Sequence, residues 1–467
     1  MFQGLSIAYW LTLHGLVTAL AVMAYVVASH VMQQRRHPAA AIAWVLFILL
    51  LPYVALPAFL TFGSRKLARP PADLVPRLAA PRAVPVGWVE QTLFALGQPA
   101  ALPYHSLHLH ADGKQALDAL WQVIAGATRS IDVCTFILGD DAIGHTVIER
   151  LSAKARAGVR VRLLLDGVGS LMAGRPRLTP LADAGVDYRL FVPPWHSPLK
   201  GRSNLRNHRK MLIADAGDAD ARLWCGGRNL AREYFVDATG KPAWHDLTWD
   251  LQGELVRQAS TLFDHDWDFA GGHRVPMPLG LVPDPAAAPA TRGQMVASGP
   301  DQVDDTVYAL LVTAAYRAQR RIVLVTPYFV PDSGLSMALQ MAARRGVAVD
   351  LVIPRRSNHA MSDIARMRAL RSLAAAGGRV WLVPTMLHGK LIVVDDHLAL
   401  AGSANLDSRS LFLNYELMVA FHDADDVARF AAWAEHERAS AGAYRPQRPG
   451  LLRDVAEGLL LWVGFQL

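Results

Sequence analysis

Cysteine is nearly absent from this chain: Cys134 and Cys225 are the only two in 467 residues. Both fall in apolar, strand-like runs, so a disulfide framework is excluded and the pair reads as reduced core side chains. Charge is scarce as well. Asp, Glu, Lys and Arg make up 19 % of the chain, below the usual quarter, while hydrophobic residues reach 52 %. That shortage points to membrane contact. The charge present leans one way, with a net +7 and an isoelectric point near 9.5. Such a balance favours polyanionic partners, either nucleic acid or an anionic lipid surface. Missing too is any His/Asp/Glu cluster at metal-ligand spacing, so no metal and no other cofactor is expected.

Two segments near the N-terminus lack charge altogether. Residues 6–32 and 39–63 contain no Asp, Glu, Lys or Arg. Each exceeds the roughly 20 residues that cross a bilayer core, which predicts a transmembrane helical hairpin within 1–66. The runs are too long, and too closely paired, for a cleaved signal peptide. Pro52 and Pro57 predict a kink in the second helix. Arg65, Lys66, Arg69, Arg77 and Arg82 follow the hairpin and outnumber Arg35 and Arg36 in its loop. By that asymmetry the rest of the chain is cytoplasmic. A proline-rich linker over 67–104 comes next.

Past the linker the chain repeats itself. "IDVCTFIL" (131–138) leads through a helical stretch into "ARAGVRVRLLLD" (155–166), and "RIVLVTPYFV" (321–330) leads in the same way into "AARRGVAVDLVIP" (342–354). Both read as strand, helix, Gly-Val turn, strand, a βαβ unit. Two similar α/β domains, 105–275 and 276–445, packed face to face, are the expected architecture. Residues 446–467 read as an amphipathic helix, with Leu451, Leu452, Val455, Leu459 and Trp462 at helical spacing.

Each half then delivers the same polar pattern. "NHRKMLIAD" (207–215) and "LHGKLIVVD" (387–395) are followed by "GGRN" (226–229) and "GSAN" (402–405). Alternation along a strand points His208 and Lys210 the same way, and likewise His388 and Lys390. A buried lysine beside a histidine is costly unless an anion visits. Asn229 and Asn405, with Ser403, could add donors, and the set suits a phosphodiester whose charge grows in the transition state. One imidazole can attack phosphorus while the other protonates the leaving alcohol. A nucleophilic His needs a carboxylate at its second nitrogen, and Asp246 in "WHD" and Glu416 in "NYE" stand at equivalent points of the repeat. Asp215 and Asp395, seven residues from each His, fall on the other strand face and suit the hairpin or backbone.

The doubled H-x-K-x4-D, each with a downstream G-G/S-x-N, resembles the phospholipase D superfamily over residues 105–445. "RRHPAAAIAWVLFILLLPYVALPAFLTFG", "GGRNLAREYF", "TPYFVPD" and "GSANLDSRSLFLNYE" are similar to bacterial cardiolipin synthases in particular. The resemblance implies two phospholipase D-like domains packed as a pseudo-dimer around one site. It implies His208, Lys210, Asp215, His388, Lys390 and Asp395 as catalytic residues. It also implies a metal-free transfer that joins two phosphatidylglycerols into cardiolipin, in the bacterial inner membrane as a multi-pass protein. Gly389 departs from a small alanine-like residue in many members, with little consequence expected. Rival expectations are a membrane-bound phospholipase D of broader specificity, a nuclease, and a non-catalytic scaffold. A nucleic-acid partner is not expected, because no aromatic stacking series accompanies a basic groove. The basic run at 200–206 suits phosphatidylglycerol and reads equally well as a solvated basic face, whereas Arg355 and Arg356 read as surface charge outside the site.

Overall fold

A computed structural model describes residues 7–31, 38–62, 87–174, 176–193, 203–238, 240–273 and 291–463. The basic stretch at 64–86, residues 200–202 of the basic run and the expected start of the second domain at 276–290 lie outside the described residues.

The two halves fold alike, strand for strand. The first sheet runs, in spatial order, His105–His110, Thr248–Gln252, Arg222–Gly226, Met211–Ala214, Ser130–Thr135, Arg160–Asp166, Asp187–Phe191. The second runs Arg292–Ser298, Glu416–Phe421, Leu398–Gly402, Leu391–Val394, Arg321–Val325, Ala348–Pro354, Arg379–Val383. Short strands Leu102–Pro103 and Gly442–Ala443 extend its two edges. In each sheet the last three of the seven strands are parallel and the remaining pairings antiparallel. The crossover helices Ala142–Arg156 and Ser333–Arg344 start at matching aspartates, Asp141 and Asp332, whose carboxylates each accept two backbone N–H groups at the helix start.

Helices cover both faces of the sheets, which is why the motif strands Met211–Ala214 and Leu391–Val394 are apolar and buried throughout. One hydrophobic cluster runs through both halves, including Trp249 and Leu251 from the first and Phe421 and Phe430 from the second. Trp249 meets Phe421 edge-on at 5.2 Å. The halves therefore share a core, and the pseudo-dimer is a single packed unit.

Two flanking regions differ from expectation. Helix Trp88–Ala95 buries Val89 and Leu93 in the second half's own cluster, and Leu102–Pro103 pairs with Arg292–Gly293. The end of the segment expected as linker is thus built into the second domain. At the N-terminus, helix Ile7–Val31 is followed by Pro38–Leu50 and Pro52–Phe62. The expected second helix breaks at Leu51, because Pro52 has no N–H and disfavours helical geometry in the residue before it. These segments pack through Ala21, Tyr25, Ile48, Ala55 and Phe59. Among the described residues no helix is long and apolar enough to cross a membrane, which does not bear out the expected spanning pair. At the other end, helix Leu451–Val463 docks on Ala360–Ala375 through Arg368–Asp454 at 3.0 Å and Arg371–Glu457. Its apolar side chains Leu451, Leu452 and Val455 stay exposed.

Candidate active site

Each histidine motif precedes its buried strand and is pinned there by the opposite half. The His208 N–H donates to the Tyr415 carbonyl at 2.9 Å, and the His388 N–H donates to the His245 carbonyl at 2.6 Å. Asn207 and Tyr415 form one parallel bridge, His245 and Leu387 the other. This swap brings the carboxylates across. His208 Nδ1 lies 3.0 Å from both oxygens of Glu416, and His388 Nδ1 lies 2.6 Å from Asp246 Oδ2. Each imidazole is therefore held by the carboxylate of the other repeat. A carboxylate at Nδ1 keeps the proton on that nitrogen and leaves Nε2 with its lone pair.

The lysines complete the cluster. Lys210 Nζ donates to the His208 carbonyl at 2.6 Å. Lys390 Nζ donates to the His388 carbonyl and lies 2.8 Å from that ring's Nδ1. Burial pushes the Lys210 ammonium down to about 8, against the pull of Glu416 and Asp246. Burial takes Lys390 to about 7, with Lys210 lowering it further. The imidazoles fall too: burial brings His208 to about 4 and His388 to about 3. Lys390 depresses His208 and Lys210 depresses His388, so charge in either half is felt in the other. At neutral pH both rings rest neutral, the state in which an imidazole can attack, with Lys210 keeping most of its charge and Lys390 close to its midpoint. Burial opposes charge on Asp246 and Glu416, yet contact with their histidines and lysines holds both carboxyls below the usual range.

The glycines of the two G-x-x-N segments are steric requirements. A Cβ on Gly226 would sit 2.3 Å from the Leu247 carbonyl oxygen, and one on Gly402 would sit 2.1 Å from that of Leu417. Strand neighbours approach too closely for any side chain, and that approach sets Asp246 and Glu416 in place.

The remaining expected residues occupy different surroundings. Ser403 Oγ donates to Glu416 at 2.6 Å, so in this structure it braces the carboxylate. Asn229 accepts from the Ile137 N–H and donates to the Tyr234 hydroxyl, whose ring packs edge-on at 5.2 Å to His388. Asn405 Oδ1 is buried with no hydrogen-bond partner among the described residues. Asp215 and Asp395 lie at the far ends of their strands, in the left-handed region with φ of 51° and 50°. Asp215 accepts from the N–H groups of Thr128, Arg129 and Ser130; Asp395 accepts from those of Gln319, Arg320 and Arg321. Those amides hold both carboxyls below the usual range in spite of burial.

Arg209 reads in the sequence as a spacer between His208 and Lys210. Its guanidinium is fully buried, ion-paired to Asp266, and donates to the carbonyls of Glu416 and Ser298. Among the described residues His265, Asp266 and Asp301 come close enough together to hold a metal ion. Arg209 already places its positive charge on both of those aspartates. Phe136, 5.1 Å from His208, and Trp244, 5.4 Å from His388, wall the two rings. Their only sequence signal is position just after a strand and just before "HD".

Residues 120–267 and 311–438 match a family model described as cardiolipin synthase, PLD-like domain. The chain belongs to the cardiolipin synthase family. Residues 19–64 match a second model, phospholipase D-nuclease N-terminal. Cardiolipin synthase A of Pseudomonas aeruginosa is 31 % identical over 92 % of this chain and 91 % of its own length. Cardiolipin synthase A of Pseudomonas syringae is 31 % identical over 85 % of this chain and 86 % of its own. Among solved structures, phosphatidylserine synthase from Haemophilus influenzae superposes with a TM-score of 0.61 at 13 % identity, covering 81 % of this chain and all of that one. Membership makes the chain an enzyme of phospholipid biosynthesis, a phosphatidyltransferase with repeated phospholipase D-like domains.

Proposed function

We propose that this family member transfers a phosphatidyl group from one phosphatidylglycerol to the hydroxyl of another, forming cardiolipin and releasing glycerol. The observation that carries the mechanism is the crossed pairing of His208 with Glu416 and of His388 with Asp246. One Nε2 attacks phosphorus and the P–O bond to glycerol breaks, while the other imidazole, entering the step protonated on both nitrogens beside the bound anionic phosphodiester, gives its Nε2 proton to the departing oxygen. The phosphatidyl-histidine is then attacked by the second phosphatidylglycerol, whose hydroxyl proton passes to that same acid–base imidazole. Lys210 and Lys390, with Asn229 and Asn405 nearby, serve the non-bridging oxygens. Transition-state charge is met by donors already in place. Phosphoester exchange needs no nucleotide, so the remaining demand is that lipid, not water, accepts the group. The N-terminal apolar segments, as a multi-pass anchor in the inner membrane with the catalytic domains cytoplasmic, would supply a high local acceptor concentration.

Purified full-length protein incubated with phosphatidylglycerol should yield cardiolipin and free glycerol in equal amounts. Phosphatidic acid as sole product would make it a hydrolase. Cleavage of DNA without lipid turnover would make it a nuclease.

A further inference from the structure

In both sheets the hairpin that follows the histidine pairs antiparallel with Ser130–Thr135 or Arg321–Val325, and the next strand, Arg160–Asp166 or Ala348–Pro354, parallel to that neighbour, ends at the edge where the imidazoles sit. Asp166 ties the first to the motif by accepting from the Asn207 N–H at 2.8 Å. The segment that follows, Gly169–Met172, lies on Phe136, the ring that packs against His208. In the second half the following loop reaches Tyr328, whose hydroxyl donates to Asn358 and whose ring meets His359 at 5.2 Å. Just after Tyr328, Phe329–Val330 pairs with Leu406–Asp407, the residues that follow Asn405 of the second G-x-x-N segment. Matching segments therefore flank the cleft on its two sides.

Both segments expose large apolar side chains beside cations. Leu171 and Met172 are 37 % and 72 % exposed, and Met361 and Ile364, at the start of the helix Ala360–Ala375 into which the second loop runs, are 54 % and 41 % exposed. Arg177 is exposed after the first pair, Arg355 and Arg356 before the second. Apolar tips rimmed by arginine suit a surface that offers acyl chains and anionic phosphates together. A soluble phosphodiester or a nucleic acid would give the apolar tips nothing to bury.

We propose that these two segments are a membrane-docking rim, with Leu171, Met172, Met361 and Ile364 entering the head-group and acyl boundary of an anionic bilayer on either side of the cleft. The rim rests on the lipid reading of the site. It lets a phosphatidylglycerol present its phosphodiester to the histidines while its acyl chains stay in the bilayer, so extraction of the whole lipid is unnecessary.

The test uses full-length protein reconstituted in phosphatidylglycerol vesicles, with an environment-sensitive fluorophore on Met172→Cys, Met361→Cys or Ala157→Cys. Ala157 is exposed at the opposite edge of the sheet. Blue-shifted emission and quenching by spin-labelled lipid at the first two sites, and not at the third, is the expected result. The double variant Met172→Glu/Met361→Glu should lose about tenfold in turnover of bilayer phosphatidylglycerol, while turnover of a short-chain soluble analogue stays within about twofold. Aqueous emission from both rim sites in an enzyme that makes cardiolipin would overturn the rim and leave the activity standing. Quenched rim probes in a protein that turns over no phosphatidylglycerol would support the rim and sink the lipid reaction instead.

Discussion

Around His208 the surroundings are built from hydrogen bonds. Glu416 turns both oxygens to the ring, Ser403 and Asn414 brace them, and Arg209 ties the motif to both halves. Around His388 the same positions are stripped of polar atoms. Ser403 is matched by Gly227, where a Cβ would lie 2.2 Å from Asp246 Oδ1, and Arg209 is matched by Gly389. Asp246 Oδ1 is buried with no hydrogen-bond partner among the described residues, and Tyr234 and Trp244 supply packing instead. One scaffold, copied, thus holds two imidazoles in unlike settings. Duplication fixed where each ring stands, and its neighbours were free to set its chemistry.

The sharpest way to break this comparison is to remove a ring. His208→Ala and His388→Ala should each lower cardiolipin formation by at least about 10³-fold in a labelled-lipid assay. If either variant kept more than about a tenth of the activity, the two-imidazole scheme would be wrong. Neutralising the carboxylates comes next. Glu416→Gln and Asp246→Asn should each reduce kcat by about 10²- to 10³-fold with KM little changed, whereas Ser403→Ala should cost only a few-fold. Equal losses for Ser403→Ala and Glu416→Gln would mean that the serine meets substrate directly.

The two terminal aspartates should respond in stability. Asp215→Ala or Asp395→Ala leaves three backbone N–H groups without their acceptor, at about 2–3 kcal/mol, read as a lowered Tm. Turnover by the folded fraction should stay within about twofold. An unchanged Tm with collapsed turnover would put these carboxylates in the chemistry. Gly389→Ala sharpens the contrast with Arg209, because the new Cβ would lie 2.5 Å from the Trp433 ring. We expect about 1–3 kcal/mol of destabilisation, partly recovered by Trp433→Phe. Little consequence was the expectation from sequence, since nothing near Gly389 in the chain announces a tryptophan.

Acidity gives the mildest probe. The folded imidazoles refuse protons down to about 4 and about 3, while unfolded ones accept them near 6.5. The unfolded state therefore binds more protons in that interval, and stability falls as pH drops through it. In the other direction, Lys390 and Lys210 lose charge near 7 and 8, so inorganic phosphate should bind more weakly as pH rises through that range. Phosphate affinity that is flat from pH 6 to 9 by calorimetry would show that the lysines do not hold the anion.

Much of this was written plainly in the sequence. The repeat, the buried motif strands and the matched carboxylates could be read from alternation and spacing, because those features are local. The crossing could not: His208 and Glu416 are 208 positions apart, His388 and Asp246 are 142 apart, and only the packing of the halves decides which meets which. Arg209 hid as a spacer for the same reason, its partners lying at 266, 298 and 416. Helix Trp88–Ala95 hid behind the prolines before it, its two buried residues being too few to display a period.

The exchange of carboxylates has a consequence for ancestry and for engineering. A lone repeat keeps its histidine and lysine but forfeits the acid that steadies the ring, so each piece of a severed chain alone should lose at least as much activity as Glu416→Gln or Asp246→Asn loses. Activity should return when both pieces are mixed. A mutation tolerated in one copy must therefore be judged by what it does to the other's imidazole, and the two copies are bound to change in step.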